Sequence, residues 1–476
     1  MPTYKSPGVF VEEIPKFPPS IAPVETAIPA FLGYTEKATD PVVGDLTLKP
    51  KRISSLVQYE QYFGGPQKET KLAVRIEEVT DATAGKPLGL TTTATLVEGD
   101  RSKHILYYAM QMFFANGGGP CWIVSVGAYK AMGTALVGTE LGAGLAPLAK
   151  VDEPTLIVVP EAQALTLADF HALEQDVLNQ CEKLQDRFAI MDLHGGTLSL
   201  SDSKTNLVDA VTAFRGGLAN NLRYGAVYGP NIETVLDFAV DEAQIDTEYV
   251  KDNEGAVKAK LVALKAANNQ RYELARAALR DYPLRLPPSG AVAGVYATVD
   301  AERGVWKAPA NVGLNGVVGP TIEVANSEQD GMNVDPVAGK SVNAIRQFVG
   351  RGTLVWGART LAGNDNEWRY VPVRRFFIFV EESVKNATAQ FVFEPNDANT
   401  WVKVQAMIEN FLTTQWRQGA LQGIKPEHAF YVAVGLGKTM TPLDILEGRM
   451  IVEIGMAAVR PAEFIILRFS HKMAQS

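Results

Sequence analysis

Leu156-Ile157-Val158-Val159, a helix over about Leu165–Leu184 and a strand over Arg187–Asp192 form the stretch that decides the fold. Both strand candidates are continuous apolar runs rather than alternating ones. A strand that is apolar on both faces is buried on both faces, as in a parallel sheet covered by helices. The pattern extends outward in both directions. Upstream, Cys121-Trp122-Ile123-Val124-Ser125-Val126 reads as another buried strand. Downstream, a helix over about Asn206–Leu218 leads to a strand over Tyr224–Tyr228. Short apolar strands alternating with helices predict an α/β fold built on a central, mostly parallel sheet.

Further upstream, Ile105–Phe114 is helical and is stopped by Asn116-Gly117-Gly118-Gly119-Pro120. Ser54 or Ser55 caps a helix through Leu56, Tyr59 and Phe63, which Gly64-Gly65-Pro66 ends. Residues 67–103 are polar and rich in Thr and Gly, and read as an insertion. Residues 231–260 carry eight acidic and three basic side chains and read as a second, solvated insertion. A helix over about Asn269–Tyr282 follows. From about Asn343 the chain reads as a separate C-terminal α/β unit. Its elements are a strand at Gly352–Gly357, a strand-to-helix passage at Val371–Val380, and strands at Ala429–Val434 and Met450–Ala458. Between them lies an amphipathic helix over Thr400–Gln418, with Trp401, Val404, Ile408, Phe411, Leu412 and Trp416 on one stripe.

Both ends read as strands with nothing local to pair with. Ser6–Ile14 lies in an arm whose prolines (Pro2, Pro7, Pro15, Pro18, Pro19, Pro23 and Pro29) preclude helix and favour extended backbone. Val9, Phe10, Val11, Ile14, Phe17 and Ile21 make it too apolar for a disordered tail. At the other end, Ala462–Ser470 is a strand close to the terminus. A terminal strand must find an edge or leave its backbone groups to water. Exchange of strands between copies of the chain, hence a building block rather than a catalyst, is the expectation.

The 476 residues, 46% apolar and 21% charged, have the composition of a globular protein with ample core. A net charge of −8 lacks the basic surplus of a nucleic-acid binder. Cys121 and Cys181 are read as reduced, buried thiols and are too few for a cysteine-only zinc site. No basic n-region with an apolar core opens the chain, and no run of ~20 apolar residues crosses a bilayer. Synthesis and folding in the cytoplasm are expected.

The block Leu286–Asn311, with Ser289-Gly290-Ala291-Val292-Ala293-Gly294-Val295-Tyr296 inside it, closely resembles the tail sheath proteins of contractile phages and phage-like contractile injection systems. Ser6–Glu13, Phe113–Gly119, Arg351–Thr360 and Arg460–Ile465 agree in the same order. The resemblance implies a structural subunit that forms six-fold rings stacked helically around an inner tube. Contraction of the sheath drives the tube through a target envelope. Its other implied partners are baseplate and terminal cap proteins and sister sheath proteins, with neither nucleic acid nor membrane insertion. The implied particle is a phage tail or a phage-like injection device, assembled in the bacterial cytoplasm and released or envelope-anchored. The central domain is subtilisin-like by this resemblance.

The implied division is an N-terminal arm (1–35), an outer and middle domain (36–340, with insertions near 67–103, 128–150 and 231–260), an inner C-terminal domain (341–458) and a C-terminal strand arm (459–476). The strands shared between subunits would carry Val9, Phe10, Val11, Glu12 and Ile14 at one end and Phe464, Ile465, Ile466, Leu467, Arg468 and Phe469 at the other. Lys403, Arg417 and Lys425 are candidates to face the tube. The alternatives are a non-contractile helical coat or surface-layer protein, or an α/β hydrolase.

No catalytic, cofactor-binding or metal-ligating residue is assigned. Gly339-Lys340-Ser341 and Gly437-Lys438-Thr439 imitate a phosphate loop, but the required first glycine is Val334 in one and Val432 in the other. His194-Gly195-Gly196-Thr197 faintly echoes a protease histidine element, yet Asp192 is only two residues away and no serine signature accompanies it. His171 and Glu174 share a helix without a third ligand.

Overall fold

The computed structural model describes residues 20–80, 87–96, 101–195, 204–252, 254–337 and 339–468. The chain divides into two units. The larger comprises residues 25–379 and 460–476, the smaller residues 1–24 and 380–459.

The larger unit is built on a nine-stranded sheet. Six neighbouring strands are parallel, in the spatial order Val342–Phe348, Gly225–Gly229, Phe188–Asp192, Leu156–Val158, Pro29–Thr35 and Cys121–Ala128. Gly352–Trp356 and Val312–Gly313 extend one edge and Lys51–Ile53 the other, all antiparallel to their neighbours. The strand earliest in the chain has the second parallel strand on one side and the later four on the other. This is the doubly wound arrangement, which reverses direction beside Pro29–Thr35.

Continuous apolar runs form the middle of the sheet because helices cover both faces. Every residue of Pro29–Thr35, Leu156–Val158, Phe188–Asp192 and Gly225–Gly229 is buried. The helix Leu167–Leu184 begins where the Thr166 side chain accepts from Asp169 N, and it buries Phe170, Leu173, Val177, Leu178 and Cys181. The helix Ser289–Arg303 packs against Leu106–Ala115 through glycines. A Cβ at Gly290 would lie 2.6 Å from the Ala109 carbonyl oxygen, and one at Gly294 would lie 2.6 Å from that of Phe113. The small-residue spacing of Ser289–Tyr296 is thus a close helix–helix seam.

Four expectations need correction. Residues 29–35, read as part of the arm, are a central strand; Pro29 is its first residue, where a missing N–H is tolerated. Residues 67–103 and 231–260 are not separate surface insertions. Leu72–Thr80, Pro87–Leu96, Asp246–Lys251 and Val257–Lys260 make one four-stranded sheet, with Ala73 beside Asp246 and Ile76 beside Tyr249. It has its own core of Leu72, Val74, Ile76, Ile245, Leu261, Tyr272, Ala275 and Leu279. Four of the acidic side chains of 231–260 make ion pairs, Glu233–Arg285, Glu242–Arg276, Asp246–Lys260 and Glu248–Arg75. Residues 128–150 bury Leu136, Leu141, Leu145 and Leu148 in the main core and are not an outward addition. Finally, the separate C-terminal unit starts at 380 rather than 341, because Val342–Phe348 pairs with Gly225–Gly229 in the central sheet. The passage expected at Val371–Val380 is helical from its start: Val371–Thr388 is one helix, and Pro372 in its first turn is compatible with that.

In the smaller unit, the helix Ala398–Arg417 is capped by the Asp397 side chain, which accepts from Thr400 N at 3.0 Å. It buries Val404, Met407, Ile408, Phe411 and Leu412. The stripe is bounded by two tryptophans whose indole N–H groups are satisfied, Trp401 by Asn396 Oδ1 and Trp416 by the Gly423 carbonyl. Phe430–Val434 and Val452–Met456 form an antiparallel pair, with Val432 opposite Ile454. Among the described residues no helix is long and apolar enough to cross a membrane.

Candidate assembly interface

Within the larger unit, the C-terminal segment is anchored at Glu463. Glu463 receives a two-pronged ion pair from Arg359, with Nε 2.9 Å from Oε1 and Nη2 2.7 Å from Oε2. Asn333 Nδ2 donates to Oε1 at 2.7 Å and the Tyr370 hydroxyl to Oε2 at 3.0 Å. Asn343 fixes the backbone of Arg359 by accepting from its N–H and donating to its carbonyl, both at 2.8 Å. Burial alone would raise the Glu463 pKa, but the Arg359 guanidinium and the other donors outweigh it and hold the carboxyl below its ordinary range.

One residue later the chain is open. Phe464, Ile465, Ile466 and Leu467 are 69%, 79%, 77% and 72% exposed. Residues 461–468, Arg468 included, form no strand in the single chain. Four consecutive large apolar side chains without cover are a contiguous patch of the kind that marks an interaction site. The lack of strand structure has a simple cause: a strand exists only beside a partner. Phe469 lies outside the described residues, as do Val9, Phe10, Val11, Glu12 and Ile14.

In the smaller unit, the pair Phe430–Val434 and Val452–Met456 is, among the described residues, a sheet of two strands. Among the described residues neither of its outer edges carries a further strand, although Leu421 bridges Ala458 just beyond the second strand. An isolated two-stranded sheet is a marginal structure, and open edges are templates for added strands. The described part of the N-terminal arm touches this unit where Val24 N donates to Ser383 Oγ at 3.1 Å.

Lys403, Arg417 and Lys425 are all exposed in this unit. Lys403 and Arg417 are fourteen residues apart on the helix Ala398–Arg417, so they share one face about 21 Å apart. The exposed Asn410 lies between them. Lys425 follows the helix and precedes Pro426–Ala429.

The motifs set aside in the sequence have structural employment. Lys340 Nζ bonds the Arg215 carbonyl, and Arg215 donates to the Lys340, Gly331 and Met332 carbonyls, so Gly339-Lys340-Ser341 ties off the helix Lys204–Gly217. Thr439 Oγ1 donates to the Ile451 carbonyl. His171 bonds the Phe214 carbonyl and His194 the Leu165 carbonyl through ring nitrogens. Asp192 accepts from Ser289 N at 2.8 Å, and burial pushes its pKa up to about 7. Glu174, also fully buried, is pushed well above its ordinary range. Cys121 and Cys181 are both buried free thiols.

Sequence reasoning missed the Arg359–Glu463 pairing. Its only signal was that each residue lies in one of the blocks quoted above, at positions 104 apart.

Comparison with known proteins bears on all of this. Residues 156–361 match the phage tail sheath protein central domain and residues 363–472 the phage tail sheath C-terminal domain. The chain is similar to a chain of the anti-feeding prophage baseplate, at 32% identity and a TM-score of 0.63, covering 99% of this chain and 100% of that one. It is similar to a chain of the contracted sheath complex of PVC, an extracellular contractile injection system, at 30% identity and a TM-score of 0.64, covering 99% of each. A tail sheath protein of Vibrio phage KVP40 is 22% identical over 191 residues, or 39% of this chain. The chain spans 26% to 50% of the length of the curated relatives it matches.

Proposed function

Since the chain belongs to the phage tail sheath family, we propose that it is the repeating subunit of a contractile sheath that surrounds an inner tube and drives it through a target envelope. The observation that carries this reading is the full-length similarity to a sheath chain in the contracted state, joined to an apolar terminal segment that is bare in the single chain. Copies associate by strand addition. Segments 9–14 and 464–469 are donated, and the open edges of Phe430–Val434 and Val452–Met456 accept them. The smaller unit then lies inward, with Lys403, Arg417 and Lys425 toward an acidic tube. The four-stranded module lies outward. Baseplate, cap and tube proteins are the other partners, and the particle is a phage tail or a tail-like injection device.

The energetics favour an assembly over a dimer. Of four consecutive apolar side chains, about two face the acceptor's core, contributing roughly 3–6 kcal/mol. Ordering the six residues 464–469 costs roughly 6–12 kcal/mol. Apolar burial alone therefore does not drive one exchange, and ladder hydrogen bonds together with the other contacts of a lattice supply the balance. The subunit acts without catalysis: contraction draws on free energy held in the extended lattice, which is kinetically trapped above the contracted one.

Electron microscopy of the purified chain tests this. Sheath-like tubes of contracted width are expected without tube protein and irrespective of added nucleotide. A chain that stays monomeric at high concentration, or contraction that depends on nucleotide, would refute it.

A further inference from the structure

We propose that Arg359, with Tyr370 and Asn333, is a positioning clamp that fixes where the donated C-terminal strand leaves the body and passes the pull of that strand into the nine-stranded sheet. This rests on the reading of 464–469 as a donated strand. Four observations carry it. The Glu463 carboxylate takes four donors, Arg359 Nε and Nη2, Asn333 Nδ2 and the Tyr370 hydroxyl, at a site where the Arg359 side chain is 5% exposed. The next four residues are bare. Among the described residues, every hydrogen bond and ion pair made by 460–468 goes through Glu463. Arg359 is itself locked by Asn343 on the sheet strand Val342–Phe348.

The consequence is a division of labour along the chain. Val459 still belongs to the smaller unit, where its N–H donates to the Ala420 carbonyl. Four residues later Glu463 is bound to the larger one. A pull on residues 464–469 therefore meets the clamp before it reaches the strand Val452–Met456. The two-stranded acceptor sheet is shielded from the load of its own chain's arm and stays free to hold the neighbours' strands. A guanidinium fork suits this task because two parallel bonds resist rotation as well as extension, whereas a lysine is a single point charge.

The test uses the full chain with spin labels at Glu302→Cys and Ile465→Cys, since both native cysteines are buried. The unaltered clamp is expected to give a narrow distance distribution. Arg359→Ala and Glu463→Ala broaden it, Glu463→Gln broadens it less, and Arg359→Lys falls between. The yield of sheaths falls roughly tenfold in the alanine variants and less in Glu463→Gln, whose monomer melting midpoint changes little. If Glu463→Ala unfolds the chain by stranding Arg359, Glu463→Gln, which keeps the shape and an acceptor, gives the answer. Unchanged distributions would overturn the proposal, as would broad distributions with normal sheaths. Normal sheaths from Ile466→Pro would sink the donated-strand reading itself. That failure is recognisable because the distributions would then still respond to the clamp variants.

Discussion

The seam between Ser289–Arg303 and Leu106–Ala115 makes a quantitative prediction about Gly294→Ala. In an ordinary helix the added methyl stabilises by about 1 kcal/mol, because alanine loses less backbone entropy than glycine. At Gly294 the new Cβ would meet the Phe113 carbonyl oxygen at 2.6 Å and Asn116 Cβ at 2.7 Å. Ordinary contact begins near 3.4 Å, so the helices must part by about 0.8 Å. A gap of that size forfeits a quarter to a half of the dispersion energy of the atoms it separates. Overpacking of this kind costs about 1–3 kcal/mol, against which the propensity gain is at most partial compensation. The net expectation is destabilisation of up to about 2 kcal/mol, seen as a fall of up to a few degrees in the melting midpoint of the monomer. Gly331→Ala is the matched control. Gly331 also sits in a helix, Asn326–Asn333, but its Cβ would meet nothing within 4 Å. That variant should melt at the same temperature or slightly higher. The double variant Gly290→Ala with Gly294→Ala should cost less than the sum of the singles, since the first methyl already opens the seam for the second. Calorimetry or circular dichroism in assembly-blocking dilution measures all four chains. If Gly294→Ala matches Gly331→Ala in sign and size, the close approach of the two helices is wrong.

Three further outcomes are expected. Ile466→Pro removes a ladder donor from the middle of the exposed segment, so sheaths should vanish from micrographs while the monomer melts as before; intact tubes would contradict strand donation. Lys403→Glu with Arg417→Glu should weaken co-sedimentation with an acidic tube roughly thirtyfold and flatten its salt dependence, while binding as tight as wild type would move the tube contact elsewhere. Asp192 has a folded pKa raised to about 7 against about 3.9 in the unfolded chain. Its contribution is therefore fully present below about pH 4 and is lost as pH rises toward 7, on the order of 4 kcal/mol in all. Glu174, raised by the same burial, acts in the same direction. Asp192→Asn should narrow the difference between melting midpoints at pH 5 and pH 8, and an unchanged difference would remove Asp192 as its source.

The alternation of buried strands and helices was legible because each element carries its own signal. Phe188–Met191 and Ala226–Tyr228 are continuous apolar runs, and Ser55 caps the helix Leu56–Phe63 by accepting from Gln58 N. Pairing is a different kind of information. Ala73 beside Asp246 joins positions more than 170 apart, and nothing local in a Thr-rich or an acid-rich segment announces its partner. Proline misled in one place: a density of prolines from Pro2 to Pro29 marks extended chain, but does not say that the last of them opens a central strand. Of the candidate interface, Phe464–Leu467 was legible in the sequence as an apolar stretch with nothing local to pair with, and it is exposed. The residue that holds its root was not, since an arginine and a glutamate 104 positions apart have no periodicity to betray them.

The place of Pro29–Thr35 in the sheet has a consequence for how the chain is made. This strand leaves the ribosome before either of its two partners, Cys121–Ala128 and Leu156–Val158. Between Thr35 and Cys121 some 85 residues must still be added. At 5–20 residues per second that is about 4–17 s during which seven core residues have no sheet to join. The four-stranded module cannot shorten the wait, since Leu72–Thr80 in turn needs Asp246–Lys251. The central strand thus waits until about a third of these residues exist, and the module until about half. During that interval a nascent chain exposes a strand meant for the centre of the sheet. Crowding nascent chains together on one messenger would let those strands find the wrong partner, so the spacing of ribosomes becomes a determinant of how much correctly folded sheath a cell obtains.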